Sequence, residues 1–201
     1  MAKIKFRCFN EDTMNVSFCG LKENINYGHQ AIAQVKKDFP DGFKSNTYYE
    51  MFSDKKDPDI LSAYNKGILK SREQVKWQMR HGIMERDATE VVVRESGYAN
   101  CGEQAFLVSN RLNKMGVKNK IVNMAICSAK TKMVENGHTF CVIDTDNFIN
   151  PMSPKSWSDE AVVVDMWSNT VAKGSDAIKY FYNLFKPDSE KQIVYFTSVF
   201  E

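Results

Sequence analysis

No stretch of this 201-residue chain approaches the ~18 consecutive apolar residues that cross a bilayer, so no membrane span is expected. The first twelve residues hold basic side chains but no apolar core of signal-peptide length. A large charge of one sign is lacking too. The net charge is +2, with lysine and glutamate interspersed, which argues against nucleic acid or an anionic membrane as partner. The five cysteines (Cys8, Cys19, Cys101, Cys127 and Cys141) contain no CxxC pair, which excludes a zinc ribbon and a thioredoxin-type motif. Their odd number cannot pair fully within one chain and fits a reducing compartment: a cytosol, its own or that of a cell into which the protein is secreted. There is no internal repeat, no low-complexity tract and no EF-hand loop. Asp144, Asp146 and Asn147 alternate as a hairpin turn does, so no metal and no cofactor is expected.

What is present is apolar material for a core, 43% of residues against 26% charged. The first half reads as helical. Ala31, Val35 and Phe39 share one helical face over 30–39, and Pro40-Asp41-Gly42 ends it. Asp57-Pro58 opens a second helix carrying Ile60, Leu61, Tyr64 and Ile68. Ser71 and Gln74 have capping-box spacing for a third, to about residue 85, with Val75, Met79 and Ile83 inward. The pattern changes near residue 88. A β-branched run covers 90–94, and a turn at 97–100 leads into a helix over 101–115 stopped by Gly116. Strands are expected over 120–127, 138–144 and 161–165, then a helix over 175–185 and a strand over 192–200. That last strand runs to the end of the sequence and is compatible with a longer parent protein. The expectation is an α+β fold: a mostly helical subdomain over 1–87, and a core over 88–201 in which a helix packs on an antiparallel sheet.

Three residues carry candidate chemistry. Cys101 falls in the first turn of a helix, where free N–H groups and the positive end of the helix dipole favour a thiolate and can receive an oxyanion. His138 opens a strand in which Phe140 and Val142 alternate, and a strand fixes the direction of an imidazole. Asp165 ends the apolar run Ala161-Val162-Val163-Val164. A carboxylate there needs a partner; either an imidazole Nδ1–H or a turn with Ser168 supplies one. His29 and His81 read as helix-surface residues.

The segments Asn100-Cys101-Gly102-Glu103-Gln104-Ala105, Gly137-His138-Thr139-Phe140-Cys141-Val142-Ile143 and Val162-Val163-Val164-Asp165-Met166-Trp167-Ser168 resemble the papain-like/transglutaminase-like cysteine enzymes, especially those of bacterial toxins and effectors. The resemblance covers roughly 95–170. It implies a Cys101–His138–Asp165 triad on an α+β core whose helix begins at the nucleophile. It also implies attack on a protein amide and a thioester resolved by water or an amine. Transglutaminase or deamidase action on a glutamine of a protein, a host protein for an effector, is the leading expectation. A cysteine peptidase is the alternative, and a non-catalytic partner-binding module the second. Two departures stand out: no Gln shortly precedes Cys101, leaving Asn100 or Tyr98 as oxyanion candidates, and Met166 replaces the expected Pro. Trp157 and Trp167 are candidate walls of a substrate groove, and Asn150 is a rival third member. The N-terminal helices are candidates for a lid, a substrate platform or a docking face for a regulatory protein.

Overall fold

The computed structural model describes residues 20–143 and 153–199. Asn150, the turn at 144–147 and Phe200 lie outside them. Six helices and one five-stranded antiparallel sheet make an α+β fold: α1 (Leu21–Asp38), α2 (Asn46–Phe52), α3 (Pro58–Arg80), α4 (Glu85–Ser96), α5 (Cys101–Lys114), β1 (Asn119–Ser128), β2 (Val134–Ile143), β3 (Val162–Asp165), β4 (Thr170–Lys173), α6 (Gly174–Phe185) and β5 (Gln192–Val199). The strand order is β4-β3-β2-β1-β5.

Alternation along the strands separates two apolar layers. Ile121, Cys141, Ile143, Val162 and Val164 pack with α1 and α5, through Ala31, Val35, Leu107, Val108 and Leu112. Val122, Met124, Phe140, Val142 and Val163 pack with α6, through Ala177 and Phe181. α1 comes close to β3 and β4 because residue 28 is glycine. A Cβ there would stand 2.7 Å from Val171 Cγ1 and 2.8 Å from Val164 Cγ2. This glycine lies mid-helix, and α1 begins at Leu21, nine residues before the start expected from the apolar stripe alone.

The start expected at Ser71 is not one. α3 runs unbroken from Pro58, capped by Asp57 Oδ1 accepting from the Asp59 N–H at 2.8 Å, to Arg80. Ile68, Ser71 and Val75 continue a single buried stripe, and the Ser71 hydroxyl donates to Ser96 Oγ of α4 at 3.0 Å instead of capping a helix. Met79 and Ile83, expected inward, are exposed. The β-branched run at 90–94 is helical. Ala88, Thr89, Val92 and Val93 are buried at helical spacing while Val91 faces out, so burial of one stripe outweighs β-propensity. α4 spans both 87 and 88 and ends at Gly97, whose φ of +74° is the left-handed conformation that glycine adopts without strain. β4 is an additional strand, four residues long, opposite β3.

Gly67 on α3 is a flat seat for Tyr98. A Cβ at 67 would lie 2.3 Å from Tyr98 Cζ. Gly67→Ala is therefore expected to destabilise the fold by about 1–3 kcal/mol, despite alanine's better helix propensity. Urea denaturation checks this; a gain in stability would show that Tyr98 can leave α3 at no cost.

Candidate active site

The first turn of α5 is fastened from two sides. The Asn100 N–H donates to Glu103 Oε2 at 2.9 Å, half of a capping box, and Glu103 accepts from Arg72 of α3, whose Nε lies 2.7 Å from Oε1. The Arg72 guanidinium is held above its ordinary range chiefly by that hydrogen bond. Burial opposes the shift, and the charges of Glu103 and Cys101 add to it. The half-buried Cys101 thus sits where the N–H groups of a helix start have no partner within the helix. Its two described companions differ. Cys127 is buried, and Cys141 is buried with its thiol donating to the Ala105 carbonyl at 3.0 Å; burial pushes that thiol far up.

His138 shares its face of β2 with Phe140 and Val142, and its ring meets Phe181 and Phe185 of α6 at centroid distances of 4.8 and 5.4 Å. With 1% of its side chain exposed, it needs a polar partner for each ring nitrogen. Nε2 lies 2.7 Å from Asp165 Oδ2, and Cys101 supplies a second side-chain hydrogen bond to the ring. The expectation from sequence was Nδ1 on the carboxylate. The ring is turned the other way, so Nδ1 is the nitrogen left for the sulfur. Burial works against an imidazolium here. The charge and hydrogen bond of Asp165, with those of Cys101, outweigh it and raise His138 from 6.5 to about 9.

Asp165 takes both of its expected partners, the imidazole and the turn. Oδ2 accepts from His138 and from the backbone N–H and hydroxyl of Ser168, while Oδ1 accepts from the Trp167 N–H at 3.0 Å. The turn that follows closes with the Asn169 N–H on the Met166 carbonyl at 3.2 Å, so methionine at 166 does not hinder the reach to His138. Asp165 is opposite Thr170 in the β3–β4 ladder, which fixes its direction.

The remaining candidates part company. Trp167 lies against His138 at 5.0 Å, with Tyr48 and Phe52 of α2 on its flank at 5.6 Å each. Trp157 does not line this cluster. It packs on Phe196 and Gly174 in the layer under α6, as a core aromatic. Tyr98 is committed to Gly67, with Lys44 over its ring at 5.2 Å. Asn100 is beside the thiol, but its Oδ1 accepts from Ser45 at 2.8 Å and Thr47 at 3.4 Å. Ser45 and Arg72 carry no signal in the sequence. They come from 55 and 31 residues away, on segments with no local sign of the thiol. Among the described residues no cluster of three His, Cys, Asp or Glu is placed to hold a metal ion, and no helix is long and apolar enough to cross a membrane.

Searches with the sequence and with the fold found no matching family model, no similar curated protein and no similar solved structure.

Proposed function

We propose that this chain is a cysteine-dependent acyl-transfer enzyme with a papain-like/transglutaminase-like core, acting on a protein amide. Cys101 is its nucleophile, His138 its base and Asp165 the residue that orients the base. The observation that carries the reading is the buried 2.7 Å bond from His138 Nε2 to Asp165, with Cys101 bonded to the same ring. A buried His–Asp pair alone is compatible with a structural role. A half-buried thiol at a helix start that also acts on this ring is what a nucleophile and its base require.

In this reading the thiol proton passes to His138 Nδ1, and the sulfur attacks the amide carbon. A C–S bond forms, and the carbonyl oxygen takes the negative charge and accepts from the free N–H groups at the start of α5. The tetrahedral intermediate collapses to a thioester as the C–N bond breaks, and the His138 imidazolium protonates the departing nitrogen. Water or an amine then resolves the thioester. From glutamine, water gives deamidation and an amine gives transglutamination; from a peptide bond, water gives cleavage. The glutamine-directed outcomes are favoured by the resemblance over 95–170.

Two measurements test this. Iodoacetamide near neutral pH is expected to label Cys101 far faster than Cys8, and Cys101→Ala to abolish turnover while keeping the fold. Equal, slow labelling would make the chain a partner-binding module instead. Intact mass spectrometry of candidate protein substrates separates the reactions: a gain of about 1 Da for deamidation, a loss of about 17 Da per cross-link, or two fragments for cleavage.

A further inference from the structure

Ser45 precedes α2 and is buried, yet its hydroxyl reaches three separate parts of the chain. It donates to Asn100 Oδ1 at 2.8 Å, and it accepts from the Tyr48 N–H at 3.2 Å and from Trp167 Nε1 at a longer 3.4 Å. Those three bonds use the single proton and two lone pairs of one hydroxyl, and Thr47 Oγ1 competes for them at 3.3 Å. Capping α2 needs only the Tyr48 bond. The other two lead to either side of the candidate site. Asn100 immediately precedes Cys101 and caps its helix. The Trp167 backbone N–H is bonded to Asp165 Oδ1, whose carboxylate holds His138. Edge contact of Tyr48 with the Trp167 indole at 5.6 Å fastens the same join a second way. The bonds close a ring: His138, Asp165, Trp167, Ser45, Asn100, Cys101 and back to His138.

We propose that Ser45 is a positioning residue whose hydroxyl ties the cap of the Cys101 helix to the turn that carries Asp165, holding thiol and base in register. The consequence for chemistry rests on the acyl-transfer reading above; the linkage itself does not. Without this hydroxyl, Asn100 loses its closest side-chain donor and the indole N–H loses its acceptor inside the protein. The join between the two halves of the site then loses its direct hydrogen-bonded tie, leaving the longer Thr47 bond to Asn100 at 3.4 Å and the Tyr48 contact with Trp167. A mere cap of α2 would leave the imidazole untouched when replaced.

Ser45→Thr and Ser45→Val make the test, since the two side chains share a shape and differ in the hydroxyl. Three quantities are read: the rate of iodoacetamide labelling at Cys101, the NMR titration midpoint of the His138 ring, and the indole N–H signal of Trp167. S45V is expected to label about tenfold more slowly than S45T, the scale of one buried hydrogen bond. Its His138 midpoint should fall, and its indole signal should move upfield. Should the branched pair fail to fold, S45A against the wild type makes the same comparison. Equal rates, midpoints and indole signals with and without the hydroxyl would overturn the proposal. If Cys101 of the wild type labels no faster than Cys8, the acyl-transfer reading has failed instead. The linkage then stands or falls on the imidazole and indole signals, which need no activity.

Discussion

Asp165→Asn is expected to slow the reaction at Cys101 by about two to four orders of magnitude while the chain stays folded, as when a carboxylate that orients a catalytic imidazole becomes an amide. Asparagine preserves the shape and can still close the turn through Trp167 and Ser168. It removes the charge that holds the His138 proton. Burial, the largest influence on that ring, already disfavours the imidazolium, and the carboxylate, with a lesser contribution from Cys101, reverses it to give about 9. Without the carboxylate, burial prevails and the midpoint drops. Stability follows the same proton. A histidine raised in the folded state contributes stability that is fully present below about 6.5 and is lost as pH rises through about 9. The wild type should therefore weaken across that window, and Asp165→Asn should flatten the slope. Single-turnover rates and denaturation midpoints from pH 6 to 10 check both. A rate equal to wild type would return the orienting role to Asn150.

Arg111→Met is expected to cost about 3 kcal/mol or more of stability, because removing one partner strands the charges it served. Arg111 is 4% exposed near the far end of α5 and binds both Asp38 of α1, at 2.6 and 2.9 Å, and Glu90 of α4, at 2.8 Å from two nitrogens. Asn110 adds a bond to Glu90 at 2.8 Å. Three helices meet at this guanidinium. The hydrogen bond from Arg111 is the main reason that Glu90 is lowered from 4.5 to about 2, against the effect of burial. A lowered carboxyl contributes stability above about 4.5 that disappears as pH falls through about 2, and Arg111→Met should remove most of that acid dependence. Urea titrations of the variant and of the triple variant with Asp38→Asn and Glu90→Gln make the measurement. The triple variant should recover part of the loss, since no unpaired carboxylate remains. A single variant as stable as wild type would show that water already satisfies the pair.

Local signals carry far in this sequence, and their limits are visible residue by residue. The strand parity of His138, the apolar run before Asp165 and the turn before Cys101 are each written within ten residues; His138 and Asp165 do pair, and Cys101 acts on the same ring. Helix boundaries mislead where a residue has two meanings. Ser71 has the chemistry of a cap but lies on a buried helix stripe, and Gly28 looks like a weak helix position but is where α1 touches β3 and β4. Trp157 and Trp167 are indistinguishable by residue type, and only the fold sends one under α6 and the other against His138. Ser45 and Arg72 are invisible in the sequence because the bonds that give them meaning cross between helices, and no periodicity encodes those pairs.

α5 has two separate jobs at its two ends. The thiol at Cys101 and the guanidinium at Arg111 are ten residues apart on one helix, about 15 Å, beyond the range at which substitutions usually couple. A substitution at the front can therefore leave the rear stapling the helices together. On the acyl-transfer reading proposed above, losing the sulfur alone would leave a folded scaffold still able to grip a target without altering it.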